Sequence, residues 1–395
     1  MFRVMQVGHR WLALVLGTVL LLITVSGSLL VYKPELLRGL HPNLFAHTSG
    51  EPIGFERALA SAREARPGIT PTFVQTWDGN YLIASERGST IVLDAATGRF
   101  NGTFNPQAGV WGFLDNLHEC ALSCASHTGY VAGLAAPVGW IFGEELTWAA
   151  LILGSVGLLL AVFVASGLVI WWPGIRKLSR GFTVRRRTNR YKLNYDLHKV
   201  VGAVALPFLA VWALTGAGFE LPFVADAWYG ALPGEAPAEP TPLETRPGDG
   251  NVSLTEATAI AAAAVAGGRT LGYTPVDRAD PKASYEFWVA SRNDPYDHSP
   301  YGGNVQVQVD RHSGATRLGY GAPGSTRTPA EDLWEHWSFA IHAGTPVNGW
   351  WRILWLLLGM SPLLLAVTGT TTWWIRRRKR RAKARRRKGL AGAAA

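Results

Sequence analysis

Cysteine is scarce in this 395-residue sequence, and charged side chains are distributed unevenly along it. Only two cysteines occur, Cys120 and Cys124, and no Cys-x-x-Cys pair exists, so a structural zinc site is unsupported. The sequence also lacks a His-Glu-x-x-His metal motif, a Walker-type phosphate loop and the turn that carries a serine nucleophile. These absences leave the common metalloproteases, ATPases and serine hydrolases without support.

Charge is missing altogether from four long stretches. Each holds at least 20 residues, and a helix rising about 1.5 Å per residue over that length crosses the ~30 Å hydrocarbon layer of a membrane. A helix in a soluble core rarely stays uncharged for so long. We therefore predict four transmembrane helices. The uncharged stretches are Trp11–Tyr32, Leu146–Trp172, Val200–Phe219 and Ile353–Ile375.

The first stretch has a second interpretation. Its basic start, with Arg3 and Arg10, is also typical of a secretory signal peptide. However, its apolar run exceeds the ~7–15 residues of a signal-peptide core, and no small-x-small cleavage site follows before Tyr32. A retained helix is the favoured interpretation.

The net charge of +10 is concentrated in two short segments. Residues 173–195 contain eight basic and no acidic residues, and residues 376–388 contain eleven basic and no acidic residues. The long loops 33–145 and 221–352 are net acidic. Basic loops remain in the cytoplasm, so both termini are expected there, and the basic tail is expected to attract anionic lipid. This distribution argues against a nucleic-acid partner.

The two halves of the sequence resemble each other. His9 precedes Gly27 by 18 residues in the first predicted span, and His198 precedes Gly216 by 18 residues in the third. In the second and fourth spans, a Ser-Gly or Thr-Gly dipeptide precedes a Trp-Trp pair. We therefore expect two duplicated halves, each consisting of a helix, an outer domain and a helix.

Each long outer loop repeats the order of a helix-like segment, strand-like segments and a turn. The turns are Asp-x-x-Thr-Gly at 94–98 and Asp-x-x-Ser-Gly at 310–314. This order predicts a small α+β domain in each loop, and the Pro- and Gly-rich stretch 232–250 predicts a linker. The helix-like segments are 55–65 and 254–266, and the strand-like segments are 72–76, 81–85, 90–93, 285–290 and 304–309.

These observations divide the chain into nine parts. Transmembrane helices are predicted at 9–33, 146–172, 196–220 and 349–375, outer regions at 34–115, 116–145 and 221–348, and cytoplasmic regions at 173–195 and 376–395.

Short motifs recur in a specific order along the chain. They are His9-Arg-Trp-Leu-Ala-Leu, Leu117-His118, Ser166-Gly-Leu-Val-Ile-Trp-Trp-Pro173, Leu197-His198-Lys-Val-Val-Gly, Ile341-His342-Ala-Gly344, and Thr368-Gly369 before Trp373-Trp374. With the two Asp-containing turns, they resemble the PepSY-associated transmembrane family, which includes bacterial inner-membrane ferric-siderophore reductases. The resemblance covers nearly the whole chain and implies periplasmic PepSY-like domains. One departure is a lengthened segment after His118, which contains Cys120, Cys124 and His127.

Four of the ten histidines occupy matching places at helix ends. His9 and His198 open the first and third predicted helices, whereas His118 and His342 precede the second and fourth on the outer side. Two histidines at the same depth can take both axial positions of one haem iron. A lone histidine at a membrane edge is more often a half-hydrated side chain, but a recurring set of four favours function. With the family resemblance, this predicts two haems, ligated by His9 with His198 and by His118 with His342. They are b-type, because no Cys-x-x-Cys-His motif is present.

Gly27 and Gly216 have two open interpretations. Five turns at about 3.6 residues per turn separate each glycine from the histidine before it, so the two lie on one helix face. The bare backbone suits packing against an outer haem, and ordinary small-residue helix packing is the alternative.

Other residues of the outer loops have secondary roles in this scheme. His127 and His336 are reserve ligands near the proposed outer haem. Cys120 and Cys124 are expected to form a disulfide in an oxidising compartment, with two free thiols as the alternative.

The family resemblance predicts a di-haem oxidoreductase of the bacterial inner membrane. It would take electrons from a cytoplasmic or quinol donor and reduce a periplasmic ferric-siderophore or other ferric chelate, and Fe(II) would then be released because hard oxygen ligands bind it more weakly. The alternative is a membrane-anchored PepSY sensor or peptidase-regulating protein without redox activity.

Overall fold

The computed structural model describes residues 2–86, 88–139, 143–186, 189–231, 243, 250–277, 280, 282–297, 299–322 and 328–393. Apart from residues 243 and 250, the predicted linker 232–250 lies outside the described residues.

The structure contains long apolar helices and, between them in the sequence, shorter helices. They are α1 (Phe2–Leu30), α2 (Lys33–Leu40), α3 (Phe55–Ala65), α4 (Gly109–Cys120), α5 (Trp148–Trp171), α6 (Leu178–Gly181), α7 (Arg190–Glu220), α8 (Pro222–Ala231), α9 (Leu254–Ala263), α10 (Pro329–Asp332), α11 (Ser338–Ala343), α12 (Gly349–Gly359) and α13 (Ser361–Ala393).

Four helical segments are long and apolar enough to cross a membrane, namely α1, α5, α7 and the tandem of α12 and α13 over Gly349–Arg385. The protein is therefore a multi-pass membrane protein. The fourth segment was expected to be one helix, but it divides between Gly359 and Ser361. Pro362 follows the division, in the first turn of α13, where a residue without an N–H is tolerated.

The four long segments form a bundle in which α1 and α7 each pack against both α5 and α13. The helices α1 and α7 therefore face each other across the bundle, and so do α5 and α13. Small residues allow close approach at the α5–α7 contact: a Cβ added at Gly157 would lie 2.6 Å from the backbone nitrogen of Ala217. The apolar centre of the bundle includes Leu20, Leu160 and Leu209.

Beyond one end of the bundle, the long loops form one continuous antiparallel sheet. Within the described residues its eight strands run in the order β10-β9-β8-β7-β1-β2-β3-β4. The first four strands in sequence come from one long loop and the last four from the other, and they join where Val74 and Gln75 of β1 pair with Tyr273 and Gly272 of β7. The strands are β1 (Pro71–Trp77), β2 (Asn80–Ser85), β3 (Thr90–Asp94), β4 (Phe100–Phe104), β7 (Arg269–Thr274), β8 (Tyr285–Ala290), β9 (Val305–Val309) and β10 (Thr316–Leu318), and β5 (Pro137–Gly139) pairs separately with β6 (Gly143–Thr147).

One core spans both halves of this sheet. Residues of α3 and α9 pack with alternate residues of the strands, and the fully buried members include Ile83, Phe287 and Val307. The single sheet differs from the expected pair of separate domains. Because β1 and β7 pair edge to edge and the two helices share one core, the outer parts of the two loops fold as one unit.

The two Asp-containing turns end β3 and β9. Asp94 is fully buried, and its carboxylate accepts hydrogen bonds from the backbone N–H groups of Thr48, Ala96 and Thr97 at 2.8–3.0 Å. Asp310 accepts bonds from the N–H groups of His312 and Ser313 at 2.7 and 2.8 Å. Each carboxylate thus satisfies the donors of its own turn.

Candidate functional site

The structure brings two of the predicted histidines together at the junction of the bundle and the sheet. His118, from α4, and His342, from α11, have ring centroids 6.0 Å apart with the ring planes inclined by 40°. The helices that carry them come from different long loops, and each packs against a different span: α4 against α1, and α11 against α7.

The other two histidines lie within the bundle. His9, on α1, and His198, on α7, project from helices that face each other across it. His9 contacts the Phe163 ring edge to face, with centroids 5.2 Å apart.

All four histidines use the same ring nitrogen to bind the protein. The Nδ1 atom of His9 lies 2.7 Å from Oγ of Ser166, and that of His342 lies 2.7 Å from Oγ1 of Thr215. The Nδ1 atom of His198 lies 3.0 Å from the carbonyl oxygen of Leu365 and 3.1 Å from Oγ1 of Thr368, and that of His118 lies 2.8 Å from the carbonyl oxygen of Ile23.

This shared pattern leaves the opposite ring nitrogen available. Among the described residues, no side chain or backbone group forms a hydrogen bond with Nε2 of any of the four histidines. A histidine that ligates a metal through Nε2 commonly has its Nδ1 held by a second group, which fixes the ring orientation.

A glycine lies beside each of the four rings, but the space that it leaves is needed mainly at Gly27. A Cβ added at Gly27 would lie 2.2 Å from Cε1 of His118, closer than any real contact, whereas one at Gly216 would lie 3.7 Å from Cε1 of His342. The corresponding distances are 3.9 Å between Gly167 and His9 and 3.2 Å between Gly369 and His198. Gly27 and Gly216 therefore border the imidazoles of the outer pair.

Two tryptophans hold the short helix that presents His342. The C-terminal carbonyl groups of a helix lack partners within the helix. Here the indole N–H of Trp355 donates to the carbonyl of Ile341 at 3.1 Å, and that of Trp212 donates to the carbonyl of His342 itself at 3.0 Å. Both indoles come from membrane spans, so the position of His342 is fixed by the bundle.

The helix α4, which carries His118, is held by a disulfide, a hydrogen bond and an ion pair. Cys120 and Cys124 form a disulfide in the structure, and the backbone N–H of Cys124 donates to the side-chain oxygen of Asn116 at 3.0 Å. Lys33 forms an ion pair with Asp115, one turn before His118. These contacts tie the lengthened loop to α4 and tie α4 to the end of the first span.

A cavity of about 770 Å³ contains both outer histidines. Its volume lies within the ~300–1,000 Å³ typical of cofactor and small-molecule sites. It extends from apolar residues in the bundle to the underside of β1–β3, and its lining is mostly apolar. The polar groups on its wall include Lys33, Glu119, Glu220, Tyr301 and Arg352.

The outer histidines are neutral at neutral pH. Burial, together with the smaller effect of the neighbouring His118, lowers the pKa of His342 to about 3. Burial likewise lowers the pKa of His118, against the opposing effects of the Ile23 carbonyl and Asp115. A neutral imidazole is the form that ligates a metal.

These features fit a haem. A haem with two histidine ligands requires two neutral imidazoles with free Nε2 atoms and a largely apolar cavity. His118 and His342 provide such imidazoles, and the cavity around them is largely apolar. Among the described residues, no group of three or more His, Cys, Asp or Glu side chains could hold a bare metal ion. Two axial imidazoles are the protein ligands that a haem iron takes when a macrocycle supplies the other ligands.

The reserve ligands lie elsewhere. His127 approaches Oγ of Ser126 at 3.3 Å, and His336 pairs with Asp332 at 2.8 Å and packs against Tyr320. Neither histidine is part of the cavity wall.

The groups that hold Nδ1 were not predicted from the sequence. Ser166, Thr215 and Thr368 each precede a glycine, and the recurrence of Ser-Gly and Thr-Gly was the available signal. The fourth such pair, Ser26-Gly27, behaves differently. The Ser26 hydroxyl bonds to the carbonyls of Leu22 and Ile23, and the imidazole of His118 binds that Ile23 carbonyl directly.

Comparison with known proteins gives one family. The model of the PepSY-associated TM region matches residues 7–376, which confirms the family that the sequence motifs indicated. No curated protein matches the chain.

Proposed function

The chain belongs to the PepSY-associated transmembrane family, and we propose that it is a di-haem oxidoreductase that carries electrons across the bacterial inner membrane to a periplasmic ferric chelate. The observation that supports this most strongly is the set of four imidazoles, each with Nδ1 held by the protein and Nε2 free. Structural anchoring helices have no need of such a set.

In this proposal two b-type haems bind, one between His9 and His198 and one between His118 and His342. Haem supplies one-electron chemistry. The protein supplies ligands at two depths of the bundle, second-sphere hydrogen bonds that fix the rings, and an apolar surrounding that limits water around the iron.

The charge distribution sets the proposed direction. The basic segments 173–195 and 376–388 adjoin the ends of the bundle near His9 and His198, and we place this end in the cytoplasm. The sheet and the cavity around His118 and His342 then lie in the periplasm. Electrons from a cytoplasmic or quinol donor would reach the inner site first, and the chelate would be reduced at the outer one.

The reduced product is Fe(II), which hard oxygen ligands hold more weakly than Fe(III). We therefore propose a ferric-siderophore as the substrate and iron release as the outcome.

We also propose that the two halves arose by duplication. His9 on the first span packs against Ser166-Gly167 of the second, and His198 on the third packs against Thr368-Gly369 of the fourth. The outer histidines repeat this relation toward Gly27 and Gly216. A duplicated electron carrier would thus have one haem at each depth, with one ligand from each half.

Single histidine variants test the proposed function. In the full chain reconstituted in vesicles with a reductant inside and a ferric chelate outside, His9→Ala and His198→Ala should stop electron entry. His118→Ala and His342→Ala should stop delivery to the chelate, while the inner haem remains reducible. Partners on one iron act as a unit, so His9→Ala/His198→Ala should be little worse than either single variant.

His41→Ala is the matched control, because His41 lies at the end of α2 and is exposed. It should retain full haem and full reduction. If all four ligand variants also retain both, the protein is not a haem reductase of this kind, and the alternative of a PepSY sensor without redox activity gains support.

A further inference from the structure

Arg352 is a buried cation at the outer end of the fourth span. Its exposed fraction is 5%, and it belongs to α12, within the segment that crosses the membrane. Ionisable side chains in such segments are costly to bury and are usually functional. A buried guanidinium at this position is therefore expected to have specific partners.

Part of the guanidinium is already satisfied. It forms an ion pair with Glu35 and donates to the carbonyl of Val31, and its planar group lies 5.0 Å from the centre of the Tyr32 ring. These partners follow the first span directly, so Arg352 joins the outer ends of the first and fourth spans.

One donor of Arg352 has no partner. Its Nε atom is buried and forms no hydrogen bond among the described residues. An unsatisfied buried donor costs about 1–3 kcal/mol, and more when the group is charged, so such donors normally have a partner. Arg352 also lies on the wall of the cavity that contains His118 and His342. The guanidinium thus has an unused donor at the wall of the cavity that contains the two proposed ligands.

The other cation on this wall is already paired. Lys33 forms an ion pair with Asp115 of α4. The carboxyl groups of Glu119 and Glu220 also border the cavity, and in their ionised form they can only accept hydrogen bonds, so they cannot donate to a ligand carboxylate. Lys33 is partly exposed, so water can reach its other N–H groups, whereas Arg352 is a buried cation of the wall with a donor that no described group uses.

We propose that Arg352 binds a carboxylate side chain of the outer cofactor, a propionate of the haem held by His118 and His342. Guanidinium and carboxylate match in charge and in planar geometry. The Nε–H would gain its acceptor, and the propionate would be oriented toward the outer end of the bundle. This inference rests on the proposed haem site.

The first test measures the reduction potential of the outer haem in the purified full chain by spectroelectrochemical titration. The outer couple is the one absent from His342→Ala. Arg352→Gln removes a cation that stabilises the electron-rich reduced state, so it should lower the outer potential. We expect at least a tenfold change in the reduction equilibrium, which is 59 mV for a one-electron couple. Arg352→Lys retains the charge without the Nε donor and should restore part of this change.

Two controls separate propionate binding from other effects. Arg269→Gln removes an exposed cation of the outer sheet, whose guanidinium pairs with Asp297, and should leave both potentials unchanged. Glu35→Gln/Arg352→Gln removes the ion pair as a whole. A return of this double variant to the wild-type potential would show that Arg352 only neutralises Glu35, and would overturn the proposal.

The second test changes the cofactor. Chain produced without haem is loaded with haem or with haem dimethyl ester, in which both carboxylates are blocked. The wild type should bind haem at least tenfold more tightly than the ester at the outer site, and Arg352→Gln should lose this preference. An undiminished preference in Arg352→Gln overturns the proposal. Failure of the wild type to bind either compound would instead refute the proposed function.

Discussion

Gly27 and Gly216 occupy matching positions, but they should respond differently to alanine substitution. A Cβ at Gly27 would lie 2.2, 2.6 and 2.7 Å from Cε1, Nε2 and Nδ1 of His118. At Gly216 the nearest atom would be Cε1 of His342 at 3.7 Å, an ordinary van der Waals contact. Gly27→Ala should therefore displace a proposed haem ligand, and Gly216→Ala should not.

The size of the effect follows from what holds His118. Its ring must move by about 1 Å to reach a normal carbon contact, which breaks the 2.8 Å bond between Nδ1 and the Ile23 carbonyl. That bond contributes about 1 kcal/mol, overpacking costs about 1–3 kcal/mol, and alanine returns about 1 kcal/mol of helix propensity. The net cost is about 2 kcal/mol, or roughly thirtyfold in haem affinity at the outer site.

The assay is the haem content of the purified variants, measured by pyridine haemochrome, together with the spectrum of the outer haem. Gly17→Ala is the control within the same helix, because a Cβ there meets nothing within 4 Å. We expect Gly27→Ala to lose the outer haem while Gly17→Ala and Gly216→Ala retain both. Equal haem content in Gly27→Ala and Gly216→Ala would refute the assignment of His118 as a ligand.

Three further predictions concern stability, covalent structure and topology. Burial tends to raise the pKa of Asp94, but hydrogen bonds from Thr48 and Thr97 outweigh it and lower the pKa. Its contribution is therefore present above the unfolded pKa of about 3.9 and is lost as the pH falls through the folded pKa. Asp94→Asn should destabilise the outer sheet at pH 7 by about 2 kcal/mol in denaturant unfolding, and a stability equal to that of the wild type would contradict this. Mass spectrometry of alkylated, unreduced protein should find Cys120 and Cys124 unlabelled, whereas two labelled thiols would rule out the disulfide. A reporter fused after Lys388 should be active only in the cytoplasm and one inserted near Gly248 only in the periplasm, and the opposite activities would reverse the assignment of the histidine pairs to membrane faces.

The spans and much of the sheet could be read from local sequence. Uncharged stretches locate α1, α5, α7 and the α12–α13 tandem because a membrane penalises charge along the whole length of a helix. The predicted helix 55–65 coincides with α3, and alternating residues placed β8 at 285–290. Local periodicity was sufficient to locate these elements, because the pattern of apolar residues within each one reflects its own helix or strand geometry.

Long-range pairing was not predictable in this way. The strands β4, β5, β6, β7 and β10 were missed. The joining of β1 to β7 depends on only two residue pairs, Val74 with Tyr273 and Gln75 with Gly272. Register between strands from distant parts of a chain is determined by the packing of the whole sheet. The sequence could therefore suggest two similar modules without showing that they form one sheet.

In the candidate site, too, local features were predictable from the sequence and contacts between distant residues were not. The spacing of His9 and Gly27 placed both on one helix face, but the partner of Gly27 is the imidazole of His118, from another helix. Likewise, Arg352 is visible in the sequence only as one charge beside an apolar stretch. Its ion pair with Glu35 and its place on the cavity wall depend on the three-dimensional arrangement of the spans.

The central claim is that two pairs of histidines each bind one haem. The direct test is a pyridine haemochrome assay on the full chain, purified from haem-replete cells, with absorption spectra before and after dithionite. We predict two b-type haems per chain. In the reduced spectra, His198→Ala should lack the inner haem only, and His342→Ala should lack the outer haem only. A colourless wild-type protein that is folded and inserted in the membrane would contradict it.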